Sequence, residues 1–380
     1  MKQIPLFKVA MNMDVLGPLK KVLESGFIGQ GPKVVEFEKL FSKSIRHARC
    51  ISTNSATSAE HLALHLLKKP QGDWEGMSPG DEVLATPLTC TASNFPILAN
   101  GFKIKWVDVD PHTLNMDLDD LARKITPKTK AIMVVHWGGY PNDLDKIKLI
   151  QEQAYSRMGV KPVVIEDCAH SFGSTYKGKP LGTHGNICTY SFQAIKHMTS
   201  VDGGMLVVPH EELERRAKLL RWYGIDREGA RGDFRCEEDI PEWGYKFHMN
   251  DVNATFGISN MEIAGECLAK HQSNAKYYNE NLQGIEGVTL LENAKDRKSA
   301  YWIYTIKVDN RDKFMEHMEG KGIMVSRVHE RNDLHSCLAE SKALLPALEE
   351  VVKTMVCIPV GWWVTKEDRE YITASIKEGW

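Results

Sequence analysis

Short apolar runs alternate with longer amphipathic segments between about residue 50 and residue 210. The apolar runs, rich in Val and Ile, lie at 82–85, 104–109, 131–135, 163–166 and 187–192. Such runs are typical of strands that are buried on both faces of a parallel sheet. Segments with helical spacing lie at 57–68, 117–124, 144–155 and 210–222. The alternation predicts an α/β domain in which helices cover a mostly parallel sheet.

The pattern changes near residue 255, where charged helical stretches become frequent. A long connecting helix is predicted at 250–278, followed by strands at 300–308 and 322–328. At 380 residues the chain exceeds the size that one hydrophobic core usually serves. We therefore expect a large domain at 1–250 and a smaller α+β domain at 251–380. Residues 226–242 are the most loop-like part of the chain.

Composition excludes several classes of protein. The chain has 48 Lys and Arg against 50 Asp and Glu, and it contains no basic run, so nucleic acid is not expected as a partner. The first residues lack the apolar core of a signal peptide, and no apolar stretch approaches the roughly 18 residues of a membrane span. We expect a soluble, cytoplasmic protein without a membrane partner. The eight cysteines show no C-x-x-C spacing, so neither a zinc site nor a disulfide framework is expected.

Lys196 is the first candidate for chemistry. It follows the predicted strand at 187–192 and precedes the pair Gly203-Gly204, while Asp167 stands at the end of an earlier strand. An acid at a strand end, followed by Ser191 and a lysine, is what pyridoxal phosphate (PLP) requires: a partner for the ring nitrogen, a phosphate ligand and an amine that bonds to the aldehyde. The alternative, a solvated surface lysine, is disfavoured by these neighbours.

A metal site is an alternative for the same segment, because Glu166, Asp167, Cys168 and His170 all have side chains that can bind a metal ion. Alternation along a strand points neighbouring side chains to different faces, so no metal is expected there.

His197 is interpreted as a neighbour of Lys196 that takes no part in catalysis.

Several motifs occur in a fixed order along nearly the whole chain. They are Ser-Gly-Phe-Ile-Gly-Gln-Gly-Pro at 25–32, Asn-Ser-Ala-Thr at 54–57, Gly-Asp-Glu-Val-Leu at 80–84, Glu-Asp-Cys-Ala-His at 166–170, Ser-Phe-Gln-Ala-Ile-Lys at 191–196, Asp-Gly-Gly at 202–204 and Gly-Tyr-Lys-Phe-His-Met-Asn-Asp at 244–251. Together they resemble the DegT/DnrJ/EryC1/StrS family of sugar aminotransferases. The resemblance implies the PLP-dependent fold type I, which is aspartate aminotransferase-like.

The resemblance also implies roles for individual residues. Lys196 would bond to PLP and move the proton, Asp167 would hold the ring nitrogen, and His170 would lie beside the ring. Ala56 and Thr57, at the start of a helix, and the Ser191 hydroxyl are expected to bind the phosphate, although Thr57 can also serve as an N-cap. The family usually stacks an aromatic residue on the ring where this chain has Cys90. Lys246 or His248 would reach the phosphate in the neighbouring subunit, or would be an ordinary interface residue.

The function implied is transfer of an amino group from L-glutamate to a nucleotide-linked 4-keto-6-deoxyhexose, with pyridoxamine phosphate (PMP) as the intermediate cofactor form. A homodimer with composite active sites is expected. Three alternatives are a C3 aminotransferase, a PMP-dependent sugar dehydratase, which Lys196 disfavours, and a non-catalytic regulator, which the intact residue set disfavours. The nucleotide and the sugar remain open.

A charged segment and a set of aromatic residues are interpreted as structural rather than functional. Residues 327–330 with His335 can contact a diphosphate, but a solvated charged face is favoured. Trp222, Tyr223, Trp362 and Trp363 are interpreted as core or interface aromatics rather than as platforms for a nucleobase.

Overall fold

A seven-stranded sheet dominates the first half of the chain in the computed structural model, which describes residues 3–72, 74–227, 229 and 239–380. The strands found in these residues are β1 Cys50–Thr53, β2 Glu82–Ala85, β3 Lys103–Trp106, β4 Thr129–Val135, β5 Val163–Asp167, β6 Thr175–Tyr176, β7 Lys179–Pro180, β8 Ile187–Ser191, β9 Gly204–Val207, β10 Val288–Leu290, β11 Arg297–Lys298, β12 Tyr304–Val308 and β13 Met355–Ile358. The helices are α1 Leu16–Ser25, α2 Pro32–Ile45, α3 Ala56–Leu66, α4 Thr91–Ala99, α5 Leu118–Lys124, α6 Leu144–Met158, α7 Glu211–Leu220, α8 Asp251–Asn281, α9 Arg311–Gly320, α10 Pro346–Thr354 and α11 Lys366–Lys377.

The large sheet has the strand order β1-β9-β8-β5-β4-β2-β3. Strands β3, β2, β4, β5 and β8 pair in parallel. Strand β9 is antiparallel to both β8 and β1, so β1 runs in the direction of the parallel strands. The expected α/β class with a mostly parallel central sheet is therefore confirmed. The carboxyl ends of six strands meet at one edge, where α/β proteins bind their ligands.

Both faces of this sheet are buried, as the apolar runs predicted. In β4, Ala131 and Met133 belong to the core on one face, whereas Ile132 and Val134 belong to the core on the other. All four side chains are fully buried. Helices on each face therefore shield the strands from water, which explains why the runs contain almost no polar residues.

A third core lies around the antiparallel sheet β10-β12-β13 near the carboxyl terminus. Helix α8 connects the cores: Ala254 and Ala264 pack against the large sheet, whereas Ala275 and Tyr278 pack in the third core. Ile4, from the amino-terminal segment, is also buried in this third core. The boundary expected at 250/251 coincides with the start of α8, and the division into two domains stays a prediction.

Two predicted strands need correction. Residues 322–328 form only isolated bridges, between Ile4 and Ile323 and between Ser326 and Cys357. The strand predicted at 300–308 begins only at residue 304, because the backbone N–H groups before it donate to the large domain: that of Trp302 donates to the carbonyl of Gly138 at 2.9 Å. The pattern also missed β1 and β9, which are short and partly polar or glycine-containing.

Three other expectations concern the surface and the loops. Among the helices in the described parts of the chain, none has the length and apolarity needed to cross a membrane. Every described cysteine is free, and five of these seven are buried. Cys236 and most of the loop expected at 226–242 lie outside the described residues.

Candidate active site

The carboxyl edge of the large sheet brings together residues that are far apart in sequence. Asp167 is the last residue of β5 and Ser191 the last of β8. Helix α3 begins at Ala56, directly after β1, and Cys90 is the N-cap residue of α4, after β2. Because parallel strands end at the same edge, four distant segments converge here.

Lys196 lies in the loop after β8, and its side chain is only partly exposed. Its Nζ atom is 3.4 Å from the centre of the Trp302 ring, whose Nε1 donates to the carbonyl of Ile195 at 2.9 Å. Burial lowers the pKa of Lys196 to about 8, while electrostatic interactions with Asp167, Cys90 and Glu60 act in the opposite direction on this pKa. About a tenth of the amine is therefore uncharged at pH 7, far more than for an ordinary lysine, and an uncharged amine is the nucleophilic form.

The carboxylate of Asp167 is buried and held by two donors. The backbone N–H of Ala169 donates to Oδ1 at 2.9 Å, and the Ser93 hydroxyl donates to Oδ2 at 2.6 Å. The Thr89 hydroxyl lies 2.9 Å from that of Ser93 and completes a short chain of hydrogen bonds. The carboxylate has further acceptor positions, and one of them could accept a hydrogen bond from a protonated ring nitrogen.

The amino end of α3 is open toward the same edge. Its N-cap is Ser55, whose Oγ accepts the N–H of Ser58 at 3.1 Å, so the N-cap role considered for Thr57 is wrong. The N–H groups of Ala56 and Thr57 precede the first intrahelical donors, and the helix dipole adds positive charge there. These two groups, with the Ser191 hydroxyl, form a donor set that fits a phosphate dianion.

Gly204 allows this helix end to reach the sheet. It begins β9 and pairs with both Thr53 and Ser191. A Cβ atom at this position would lie 2.4 Å from the carbonyl carbon and oxygen of Ser55 and 2.5 Å from the nitrogen of Ala56. The second glycine of the pair thus makes room for the amino end of α3.

An aromatic cluster forms one wall of the site. The His170 ring stacks on Trp302 at 4.0 Å between centroids and is parallel to the ring of His329 at 5.6 Å, while Trp137 meets both imidazoles edge-on. The Nδ1 atom of His170 and the Nε2 atom of His329 are buried without hydrogen-bond partners. Burial lowers the pKa of His329 to about 4 and that of His170 well below its usual value, and the charge of Lys196 acts in the same direction on both.

His329 corrects one interpretation of the sequence. The segment 327–330 is not only a solvated charged face: Arg327 and Glu330 pair at 2.7 Å near the surface, but His329 is largely buried between Trp137 and His170. His335 lies farther along the same loop and meets Phe95 edge-on.

The contacts of the remaining predicted residues, Cys90, Lys246 and His248, do not assign them a role in the site. Cys90 is exposed and has no capping hydrogen bond. Lys246 is exposed, and its carbonyl accepts from the Asn54 side chain at 3.3 Å, just before α3. His248 is half-buried, its ring centre lies 3.6 Å from that of Trp222, and its Nδ1 atom is buried without a partner. Whether Lys246 or His248 reaches a neighbouring subunit stays a prediction.

The other aromatic residues and His197 have structural contacts. Trp362 and Trp363 hold the amino-terminal segment, since their Nε1 atoms donate to the carbonyls of Lys8 at 3.2 Å and Pro5 at 2.8 Å. Tyr223 is exposed beside Trp222. The Nε2 atom of His197 donates to the carbonyl of Ala300 at 2.9 Å, away from Lys196.

The residues weighed as metal ligands separate into two groups. Asp167 and His170 face the candidate active site, whereas Glu166 and Cys168 lie with His136, and the ligand atoms of these three are within 4.8 Å of one another. The His136 ring already uses both nitrogens: Nδ1 accepts the N–H of Asn142 at 3.0 Å and Nε2 donates to Glu166 at 2.9 Å. This buried group is hydrogen-bonded as it stands.

Comparison with known proteins agrees with this geometry. The model of the DegT/DnrJ/EryC1/StrS aminotransferase family matches residues 11–377. The chain belongs to this family. The expected fold type I class is confirmed as well, because similar solved structures, among them a sugar aminotransferase, share this architecture over nearly the whole chain.

Several individual relatives cover most or all of the chain. The crystal structure of AtS13 from Actinomadura melliaura is 49% identical, covers 100% of both chains and superimposes with a TM-score of 0.95. The sugar aminotransferase CalS13 from Micromonospora echinospora is 47% identical over 99% of this chain and 100% of its own, with a TM-score of 0.94. The spore coat polysaccharide biosynthesis protein SpsC of Bacillus subtilis is 32% identical over 81% of this chain and 76% of its own.

The sequence analysis does not identify three residues of the candidate site, Glu60, Ser93 and Trp302, and it treats His329 only as part of the charged segment 327–330. Glu60 and Ser93 lie in α3 and α4, the two helices whose amino ends the sequence predicts at the site. A glutamate on the buried face of an apolar helix is a pattern that could have indicated Glu60 as a site residue. Trp302 and His329 come from the carboxyl-terminal third of the chain. No local pattern indicates that they return to the sheet edge.

Proposed function

We propose that this family member is a PLP-dependent aminotransferase that converts a nucleotide-linked 4-keto-6-deoxyhexose to the 4-amino sugar, with L-glutamate as the amino donor. The observation that carries the proposal is the position of Lys196, a partly buried amine with a pKa of about 8. It shares the edge of the sheet with the carboxylate of Asp167 and with the open amino end of α3.

The residues at this edge fit PLP and its PMP form group by group. Ala56, Thr57 and Ser191 would hold the phosphate, Asp167 the ring nitrogen and Lys196 the aldehyde carbon. When bound, PLP carries the amino group between donor and acceptor and withdraws electrons from the bond that is broken at the substrate carbon. A structure with a TM-score of 0.90, from Streptococcus pneumoniae, was solved in a PLP form, and another of the same protein in a PMP form.

The chain's own part in the reaction is to move protons. Once an incoming amine has displaced it, the Lys196 amine is free to take a proton from the donor carbon and to return one to the acceptor carbon. With a pKa of about 8 it can do both near neutral pH, since a general base works best when its pKa is close to the working pH. An ordinary lysine, with a pKa of 10.5, would remain protonated.

Asp167 and the aromatic wall set the environment of that lysine. The Asp167 carboxylate would keep a proton on the ring nitrogen, which strengthens the ring as an acceptor of electrons. His170 and His329 stay uncharged because their pKa values are lowered, so they add no positive charge that would compete with this proton. Two of their nitrogens, His170 Nδ1 and His329 Nε2, have no hydrogen-bond partner and could form hydrogen bonds with hydroxyl groups of a sugar.

The sugar substrate is supported by the relatives. CalS13, 47% identical over nearly the whole chain, is described as a sugar aminotransferase. An intact Lys196 also favours transamination over dehydration of the sugar, because the related dehydratases replace this lysine. A homodimer fits the same picture, with Lys246 or His248 of one subunit closing the phosphate site of the other.

A panel of substrates tests the proposal. Purified protein with PLP and L-glutamate is incubated with dTDP-, GDP- and UDP-linked 4-keto-6-deoxy sugars and with 3-keto sugars, and the products are analysed by mass spectrometry and NMR. The proposal predicts an amine at C4 and an equal amount of 2-oxoglutarate, both absent with Lys196→Ala. An amine at C3, loss of water from the sugar, or no product from any member of the panel would contradict it.

A further inference from the structure

Glu60 is a buried acid that the proposed mechanism does not use. It lies in α3, one helical turn after Ala56, and therefore on the same face of the helix as that residue. Its side chain is 1% exposed, in a helix that is otherwise apolar on this face. Among the described residues, no hydrogen-bond donor faces its Oε2 atom. An isolated buried carboxylate would be very costly, so the surroundings of Glu60 must explain its presence.

Those surroundings are the groups of the candidate active site. The carboxyl group of Glu60 lies in hydrogen-bonding contact with that of Asp167, at the end of β5. The other titratable groups that act on it are Cys90, at the start of α4, and Lys196, after β8. Burial raises the pKa of Glu60 well above its usual value, the nearby charge of Asp167 raises it further, and only Lys196 acts in the opposite direction.

Two carboxyl groups in contact cannot both be ionised, so one of them must carry a proton. The donors decide which one. Asp167 already accepts two hydrogen bonds, from the N–H of Ala169 and from the hydroxyl of Ser93, so it is the acceptor of the pair. Glu60 has no such donor at Oε2. The proton therefore belongs to Glu60.

We propose that Glu60 is a positioning residue for Asp167: a neutral carboxylic acid whose O–H donates to the Asp167 carboxylate and orients it toward the ring nitrogen of the cofactor. A carboxylate offers about four acceptor sites. Ala169, Ser93 and Glu60 occupy three of them, and one is left for the ring. Because Glu60 is neutral, it adds no second buried negative charge beside Asp167 and Lys196. The cofactor part of this proposal rests on the proposed function.

The protonation of Glu60 is tested on the cofactor-free protein, so its result does not depend on the proposed function. A group with a raised pKa in the folded state keeps its proton while the unfolded chain releases it, so stability falls as pH rises above 4.5, the usual pKa of the group. Glu60→Gln removes this effect. The unfolding free energy of Glu60→Gln minus that of the wild type, measured in urea, should therefore increase with pH above 4.5.

Glu166→Gln is the matched control, because Glu166 is an equally buried glutamate. Burial raises its pKa, but hydrogen bonds from His136 and Asn186 outweigh this and lower it. Its replacement should therefore make the same difference fall as pH rises toward 4.5, and leave it constant from there to about pH 6, below the range in which its partner His136 titrates. A difference for Glu60→Gln that is constant, or that falls with pH, would overturn the proposal.

An infrared measurement on the wild type covers the case in which Glu60→Gln fails to fold. With glutamate side chains labelled with carbon-13, a labelled carbonyl stretch of a protonated acid should be present at pH 8. Its absence, or an unlabelled acid band that disappears in Asp167→Asn, would place the proton elsewhere and overturn the proposal.

The positioning role is tested on the holoenzyme by comparing two variants. Glu60→Gln keeps a neutral donor and should retain most of the turnover, whereas Glu60→Leu removes the donor and should lower kcat roughly tenfold with little change in KM, the equivalent of one hydrogen bond. Equal losses in both variants would indicate a merely structural role. Absence of activity in the wild type would count against the proposed function and leave the protonation result standing.

Discussion

At the scale of single residues, the site depends on where buried charges are placed. Burial lowers the pKa of Lys196, while the carboxylate of Asp167 accepts hydrogen bonds from Ala169 and Ser93. Both residues could be predicted, because each stands directly after an apolar run in a recognisable motif. Glu60, Trp302 and His329 could not, because their roles depend on contacts between segments that are distant in sequence.

Replacing Asp167 by Asn tests the role of its charge. The amide preserves the shape of the side chain but cannot stabilise a protonated ring nitrogen, so turnover should fall roughly 100-fold, as expected for the loss of a hydrogen bond between charged groups. PLP occupancy, measured by absorbance after gel filtration, should fall much less.

Ser93→Ala is the control for this replacement, because it removes a donor from Asp167 and leaves the carboxylate. Its turnover should fall by roughly tenfold or less. Near-normal turnover in Asp167→Asn would show that Asp167 is structural.

At the scale of elements, the contact between α3 and β9 places the proposed phosphate-binding end of α3 at the edge of the sheet. Helix α3 was predicted to within a few residues, whereas β9 was missed because Gly204 weakens its strand pattern. Glycine is required at this position because the backbone of β9 lies against the backbone of Ser55 and Ala56, a contact that the sequence does not indicate. The strand predicted at 322–328 failed for a different reason: the segment makes one bridge to Ile4 of the amino-terminal segment and one, from Ser326 to Cys357, to β13, and these two bridges do not form a continuous strand.

Gly204→Ala tests this contact. Its methyl group would meet the backbone of Ser55 and Ala56 at about 2.4–2.5 Å, so the helix end must move. We expect the unfolding free energy in urea to fall by about 1–3 kcal/mol, as for other overpacked sites, and the affinity for PLP to fall with it.

Gly265→Ala is the matched control, since Gly265 lies in α8 and a Cβ atom there would meet nothing within 4 Å. That variant should gain about 0.5–1 kcal/mol and bind PLP normally. Unchanged stability and PLP affinity in Gly204→Ala would contradict the role given to this contact.

At the scale of the whole molecule, the sequence motifs predicted the α/β class and the family, and both are confirmed. The composite dimer stays a prediction, because a single chain cannot show which groups of a neighbour complete its site. Lys246 lies near the amino end of α3 of its own chain, because its carbonyl accepts from Asn54, whereas His248 packs on Trp222. Either residue can belong to a surface shared by two subunits.

Subunit mixing tests the composite site. A Lys196→Ala chain and a Lys246→Ala, His248→Ala chain should each be inactive alone. In a mixed dimer one site carries both defects and the other carries none, so activity should partly return after subunit exchange. An active double variant, an active monomer in sedimentation, or no recovery after verified exchange would contradict the composite site.

The central claim is that Lys196 forms the covalent bond with PLP, and reduction with sodium borohydride tests it most directly. Reduction fixes a carbon–nitrogen double bond, so digestion and mass spectrometry then identify the lysine that carries the cofactor. We predict the adduct on Lys196, with a rate of formation in the cofactor-free protein that rises through pH of about 8 rather than near 10.5. An adduct on a different lysine, or none in a protein that binds PLP, would contradict the account.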